Sequence, residues 1–144
     1  MDDFYVAIGD TTSFSKTVSE SDVYLFAGIS GDFAPNHVNK AYMEKSSYGQ
    51  LIAHGALLVG YMSTASTQMA MKSRADKSVT GVSLGYDRMR FIAPVYFGDT
   101  VTVTYTIASI DPEKLRAAAD IKITNQNGVL VAVATHLLKW VRNS

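Results

Sequence analysis

The segment Leu51-Ile-Ala-His-Gly-Ala-Leu-Leu-Val-Gly-Tyr-Met-Ser-Thr-Ala-Ser-Thr-Gln-Met-Ala-Met71 contains no Asp, Glu, Lys or Arg. Its apolar residues recur at the spacing of one helix face, which predicts a helix from about His54 to Met71. The apolar face comprises Leu57, Leu58, Tyr61, Met62, Ala65 and Met69. A narrower face carries small residues, namely Ala56, Gly60, Ser63, Thr67 and Ala70. We expect this helix to be enclosed by the rest of the domain.

The same segment is also long enough to span a membrane. Its second half, however, contains Ser63, Thr64, Ser66, Thr67 and Gln68. Hydrocarbon would leave these polar groups poorly solvated, so a buried helix explains the composition better than a membrane span. We therefore expect no association with the membrane.

The chain after this helix has the composition of β-strands. Four runs rich in β-branched and aromatic residues, at about residues 79–92, 101–110, 115–124 and 129–142, are separated by turns containing Pro, Gly or Asn. A further strand is predicted within residues 4–18, after the turn at Ile8-Gly9-Asp10. The expected fold class is α+β, with an antiparallel meander curled around one long helix. Because no linker or repeat interrupts the sequence, residues 1–144 are expected to form a single domain.

Composition excludes several classes of function. Lys plus Arg and Asp plus Glu are equal at 13 each, so no net charge favours nucleic acid or an anionic membrane. The absence of Cys excludes disulfides, thiolate metal sites and thiol catalysis, and it suits a reducing compartment. The acidic start, Met1 to Tyr5, lacks the basic and then apolar order of a signal peptide. A cytoplasmic protein is expected.

The segment before the long helix carries the candidate chemistry. Ser19 and Asp22 have the spacing of a capping box, which predicts a helix from about Glu20 to Gly28. We interpret residues 32–37 as a loop that follows this helix, because Pro35 cannot continue a helix.

A second, short helix is predicted beyond that loop. Asn39 is its expected N-cap, and the helix should run through Lys45. Tyr42 and Met43 are expected to form its buried side.

Asp32 and His37 lie five positions apart in this loop, and both can transfer protons. A neutral imidazole can accept a proton near neutral pH, and a neighbouring carboxyl group can hold the same water molecule. Asp32, His37 and His54 are also possible zinc ligands, although no further signature of a metal site accompanies them. His54 is more simply read as a residue that holds the loop, and His136, within a predicted strand, as structural.

Three motifs together resemble the MaoC-like hydratases of the hotdog fold, which include the (R)-specific enoyl-CoA hydratases. The first motif is Tyr24-Leu-Phe-Ala followed by Ser30-Gly-Asp-Phe-Ala-Pro-Asn-His37. The second is Ile52-Ala-His-Gly55, and the third is Phe91-Ile-Ala-Pro-Val-Tyr-Phe-Gly-Asp99. The resemblance implies a homodimer with its two sheets joined edge to edge. It also implies reversible hydration of trans-2-enoyl-CoA to (R)-3-hydroxyacyl-CoA, with Asp32 and His37 as the catalytic pair.

This reaction defines roles for further residues. Gly55 begins the long helix, where an unpaired backbone N–H can stabilise the oxyanion that develops on the thioester. His54 is expected to order the loop beside it, and Ser63 matches a position where the family places a serine near the site. The phosphates of coenzyme A would need cations, for which the candidates are Lys72, Arg74, Lys77, Arg88 and Arg90. No metal or redox cofactor is expected.

The sequence departs from the family pattern at Ala34 and Asn36 within the first motif, where an asparagine and an aliphatic residue are usual. It also departs at Asn39, two residues after His37, where an acidic residue is usual. These departures leave open a subunit that binds or assembles acyl thioesters without catalysis. A hotdog thioesterase is the other alternative. It is disfavoured because thioesterases of this fold place their carboxylate on the central helix, and none occurs in residues 51–71.

Overall fold

A computed structural model describes residues 4–144, which form one five-stranded antiparallel sheet and four helices. The strands are β1 (Thr11–Thr17), β2 (Val79–Phe91), β3 (Thr100–Asp111), β4 (Arg116–Thr124) and β5 (Leu130–Arg142). The helices are α1 (Glu20–Ser30), α2 (Pro35–Val38), α3 (Lys40–Glu44) and α4 (Gly55–Lys72). The expected α+β class is confirmed.

The strand order β1-β3-β4-β5-β2 differs from the predicted meander. β3, β4 and β5 do form consecutive hairpins, but β2 pairs with β5 and lies at the edge of the sheet. β1 occupies the other edge and pairs with β3. The prediction was wrong at β2 because strand periodicity reports which face is buried and not which strands pair.

Helix α4 packs against β1, β3 and β5 through the predicted apolar face. Leu58, Met62, Ala65 and Met69 are buried, whereas Leu57 is half-buried. Along β3, buried residues alternate with more exposed ones, as predicted. Trp140 of β5 is fully buried. The stripe of small residues on α4 is largely exposed. No helix within residues 4–144 is long and apolar enough to cross a membrane.

The capping box of α1 is confirmed. The Asp22 N–H donates to Ser19 Oγ, and the Asp22 carboxylate accepts from the Ser19 N–H. The helix continues two residues beyond its predicted end and stops at Gly31, whose φ of 82° lies in the left-handed region that favours glycine. The backbone conformation of Gly31 therefore sets the direction of the chain at Asp32.

The loop predicted over residues 32–37 contains a short helix. Pro35 starts α2, because a proline at the first helical position removes an N–H that would have no partner there. His37 consequently lies on a helical turn.

Asn39 caps α3 as predicted, by accepting from the Tyr42 N–H at 3.0 Å. Met43 is buried, but Tyr42 is 59 % exposed, since successive helical residues point about 100° apart. The prediction that both residues face the core was wrong for Tyr42.

His136 lies fully buried in β5, within a polar network that spans the sheet. Its Nδ1 is 2.6 Å from the Tyr105 hydroxyl, and its Nε2 is 2.7 Å from Ser83 Oγ. The Tyr86 ring packs 4.8 Å away. Burial lowers the pKa of His136 to about 4 and raises that of Tyr105, so Tyr105 donates to a neutral imidazole, which donates in turn to Ser83.

We expect this histidine to weaken the fold in acid. The unfolded chain takes up a proton at His136 below about pH 6.5, whereas the folded chain takes it up only near pH 4, so stability falls as the pH drops through this window. The loss between pH 7.5 and 4.5 should be about 2–3 kcal/mol in the free energy of unfolding. Urea unfolding of wild type and His136→Gln at both pH values measures it. An unchanged pH dependence in the variant would refute this role.

Candidate active site

The segment 51–55, immediately before α4, joins the three sequence motifs. The Ile52 N–H donates to the Asn36 carbonyl at 3.0 Å, which ties this segment to the first motif. The Ala53 N–H donates to the Val95 carbonyl at 2.8 Å, and Ile52 forms a bridge with Tyr96, which ties it to the third motif. Residues far apart in the sequence therefore converge at the start of α4.

A cleft of about 330 Å³ opens at this junction. Its walls are formed by residues from all three motifs and from the first turns of α4. They include Asn36, His37, Ile52, Gly55, Phe91 and Val95. Most of this lining is apolar, and His37 is the only imidazole among the described residues that form it, so the cleft can hold an apolar group beside a proton acceptor.

His37 is buried in the wall of the cleft, and its tautomer follows from its hydrogen bond. Nδ1 lies 2.8 Å from the Ile52 carbonyl oxygen. Because a carbonyl only accepts, Nδ1 carries the hydrogen, and the lone pair of the neutral ring lies on Nε2. His37 thus presents one nitrogen that can accept a proton.

Asp32 is exposed and lies at the end of α1. Its Oδ1 accepts from the Ala34 N–H at 3.2 Å, which closes a short turn despite the missing asparagine side chain at position 34. One carboxylate oxygen of Asp32 and one ring nitrogen each of His37 and His54 lie within 4.8 Å of one another. One water can bridge groups at this separation, because two hydrogen bonds join atoms up to about 5.6 Å apart.

These three side chains are poorly arranged for a metal ion. The His37 and His54 rings are stacked, with centroids 3.7 Å apart and planes 23° apart. An imidazole binds a metal in the plane of its ring, so stacked rings direct their lone pairs side by side and not at one point. The geometry suits proton transfer better than metal binding.

Gly55 is the first residue of α4 and lines the cleft. Its N–H donates to no group in residues 4–144, as expected at the start of a helix. A Cβ at this position would lie 2.6 Å from the Phe91 ring, so only glycine permits this approach. Gly55 therefore brings a free N–H to the wall of the cleft and lies close to the Phe91 ring. The sequence did not assign a role to Phe91, because its contact with Gly55 depends on the tertiary fold.

The remaining predicted residues lie elsewhere. Ser63 is exposed about 12 Å along α4 from Gly55, and it is not in the wall of the cleft. Lys72 ends α4, about 25 Å from Gly55, and its Nζ donates to the Thr11 carbonyl. Arg74 and Lys77 follow it, so the chain does not bring these three cations to its own cleft.

Only two of the predicted cations lie on the strand that reaches the cleft. Arg88 and Arg90 are both exposed on β2, close to Phe91, and Met89 lies between them. Arg88 has a φ of 53°, at an irregularity in the pairing of β2 with β5.

The comparisons with known proteins agree with this architecture. A family sequence model described as a MaoC-like domain matches residues 4–131. An (R)-specific enoyl-CoA hydratase of Rhodospirillum rubrum is 41 % identical over 106 residues, which cover 74 % of this chain and 69 % of that protein. A 3-hydroxybutyryl-CoA dehydratase of Methylorubrum extorquens is 33 % identical over 76 % of this chain and 66 % of its own length.

A solved structure gives the same result for the fold. The (R)-hydratase from A. caviae superposes with a TM-score of 0.82 at 26 % identity, over 93 % of this chain and 96 % of that chain. The predicted hotdog fold is confirmed by this similarity and by the arrangement of the sheet and α4.

Proposed function

Because this chain belongs to the MaoC-like domain family, we propose that it reversibly hydrates trans-2-enoyl-CoA to (R)-3-hydroxyacyl-CoA. It is an enzyme of the hydratase/dehydratase class, as its relatives are. The observation that carries the proposal is that a carboxylate oxygen of Asp32 and a ring nitrogen of His37, which lines the cleft, lie within 4.8 Å of each other, a separation that one water can bridge. The apolar lining fits an acyl chain, and no metal or redox cofactor takes part in the proposed reaction.

In the proposed reaction, a water molecule is held between the Asp32 carboxylate and His37 Nε2. As the water oxygen bonds to C3 of the enoyl group, its proton passes to His37 Nε2, which carries the free lone pair. The C2–C3 π electrons move towards the thioester oxygen, where the Gly55 N–H stabilises the developing negative charge. C2 then receives a proton from the Asp32–His37 pair, which returns to its starting state. One water held on one face gives one enantiomer.

Asn36 and Phe91 are proposed to shape the cleft around the substrate, since both lie in its wall. Arg88 and Arg90 are proposed to bind the coenzyme A phosphates, because they lie on β2 near Phe91.

We also propose a homodimer joined through the β2 edge, where Leu84 and Phe91 are exposed. A molar mass equal to one chain in solution, measured by light scattering, would contradict the dimer.

The proposed activity is tested with a short trans-2-enoyl-CoA. We expect the enoyl-thioester absorbance to fall while no free thiol appears, because water adds to C3 and the thioester bond survives. Release of free thiol, detected with a chromogenic disulfide, would instead identify a thioesterase. Binding of the acyl-CoA in a calorimeter without any change in absorbance would identify a subunit without catalysis.

A further inference from the structure

His54 contacts both proposed catalytic residues without lining the cleft. It is 1 % exposed, and its Nε2 lies 2.9 Å from the backbone carbonyl oxygen of Asp32. Its ring stacks on that of His37 and meets the ring of Phe26 edge-on, at a centroid distance of 4.8 Å. One buried side chain therefore contacts the backbone of Asp32 and the ring of His37, the two residues proposed to hold the same water.

The hydrogen bond to Asp32 fixes the tautomer of His54. Since a carbonyl oxygen only accepts, Nε2 carries the hydrogen and Nδ1 carries the lone pair. Nδ1 is buried and has no hydrogen-bond partner within residues 4–144. A buried acceptor without a partner destabilises the folded protein. A phenylalanine would fill the same space beside Phe26 without this cost, so packing alone does not explain the histidine.

Two other hydrogen bonds restrain Asp32, and both are longer than its bond to His54. The Asp32 N–H donates to Ser30 Oγ at 3.2 Å, and Oδ1 accepts from Ala34 at 3.2 Å. Both of these partners belong to the same short segment as Asp32. The His54 bond is shorter and connects Asp32 to the start of α4, where Gly55 lies.

We propose that His54 is a positioning residue that sets Asp32 relative to His37 and Gly55. It holds Asp32 by the backbone carbonyl and holds the His37 ring by stacking, so this one side chain links the two residues of the pair. This inference rests on the proposed hydration. An error of about 1 Å in such a spacing can lower a rate by about 10²-fold, although the substrate still binds.

Three variants separate the hydrogen bond from the ring. His54→Phe keeps an aromatic ring against His37 but loses the donor to Asp32. His54→Gln keeps an N–H donor at about the reach of Nε2 but loses the ring, and His54→Ala loses both. We expect kcat of His54→Phe to fall about 10²-fold with KM within about 3-fold of wild type, and His54→Gln to recover at least about 10-fold of that loss.

Steady-state hydration of a short trans-2-enoyl-CoA by wild type and the three variants tests this, with thermal unfolding as the measure of folding. A folded His54→Phe with kcat within about 3-fold of wild type would overturn the positioning role while leaving the proposed function intact. If His54→Phe does not fold, His54→Gln and His54→Ala decide the matter: equal kcat values overturn the role, and a higher value for Gln supports it. An inactive wild type would overturn both the function and this inference.

Discussion

Asp32→Asn and His37→Gln are each expected to lower kcat for enoyl-CoA hydration by at least about 10²-fold, and by up to about 10⁴-fold. An asparagine side chain at position 32 keeps the size of the aspartate but cannot take part in proton transfer, and a glutamine at position 37 offers no basic nitrogen. Because both groups act on one water, the double variant should be little worse than either single variant. Initial rates of absorbance loss, with saturating substrate, measure these effects.

The matched control is Asp120→Asn, which makes the same change at an exposed position on β4. Its rate should equal that of wild type. Asp32 is exposed and His37 lies in the cleft wall, so both variants should fold, which thermal unfolding can verify. Full activity in either folded variant would remove that residue from the mechanism.

Gly55→Ala is expected to lower kcat/KM by about 10²-fold: alanine keeps the backbone N–H, but its Cβ alters the cleft beside that donor, and a displacement of the substrate by about 1 Å can cost this much. The added Cβ would lie 2.6 Å from the Phe91 ring, so that ring must move, and it lines the cleft. The atoms closest to this Cβ all belong to the Phe91 side chain and none to the backbone, so the variant should remain folded. We therefore expect the substitution to lower kcat/KM by displacing the thioester, while the stability of the protein changes little.

Gly28→Ala provides the matched control for this prediction. Gly28 is also helical, but a Cβ there meets nothing within 4 Å. The change should leave the rate unaltered and stabilise the helix by up to about 1 kcal/mol. If Gly55→Ala retained kcat/KM within about 3-fold of wild type, the close approach of Gly55 to the Phe91 ring would not be needed to place the thioester.

Features set by local sequence were predictable. The Ser19–Asp22 capping box, the Asn39 cap and the apolar face of α4 depend on residues three or four positions apart, and the structure confirms them. Pro35 was misread because the same residue that breaks a helix interior starts a helix at its first position.

Features set by contacts between distant segments were not predictable. The pairing of β2 with β5 and the contact of Phe91 with Gly55 leave no mark on the local sequence pattern. The His37–His54 stack has the same origin, because it depends on the backbone bonds between residues 36 and 52. Ser63 was a candidate because of its position in the family pattern, and Lys72 because of its charge. Both lie farther along α4 and outside the wall of the cleft of their own chain.

The configuration of the hydration product tests the central claim most directly. If one water is held between Asp32 and His37, every addition occurs on the same face of the enoyl group. Chiral chromatography of the 3-hydroxy acid, released after hydration of a short trans-2-enoyl-CoA, should then show the (R) enantiomer alone. A racemic product, or no hydroxyacyl product at all, would contradict the account.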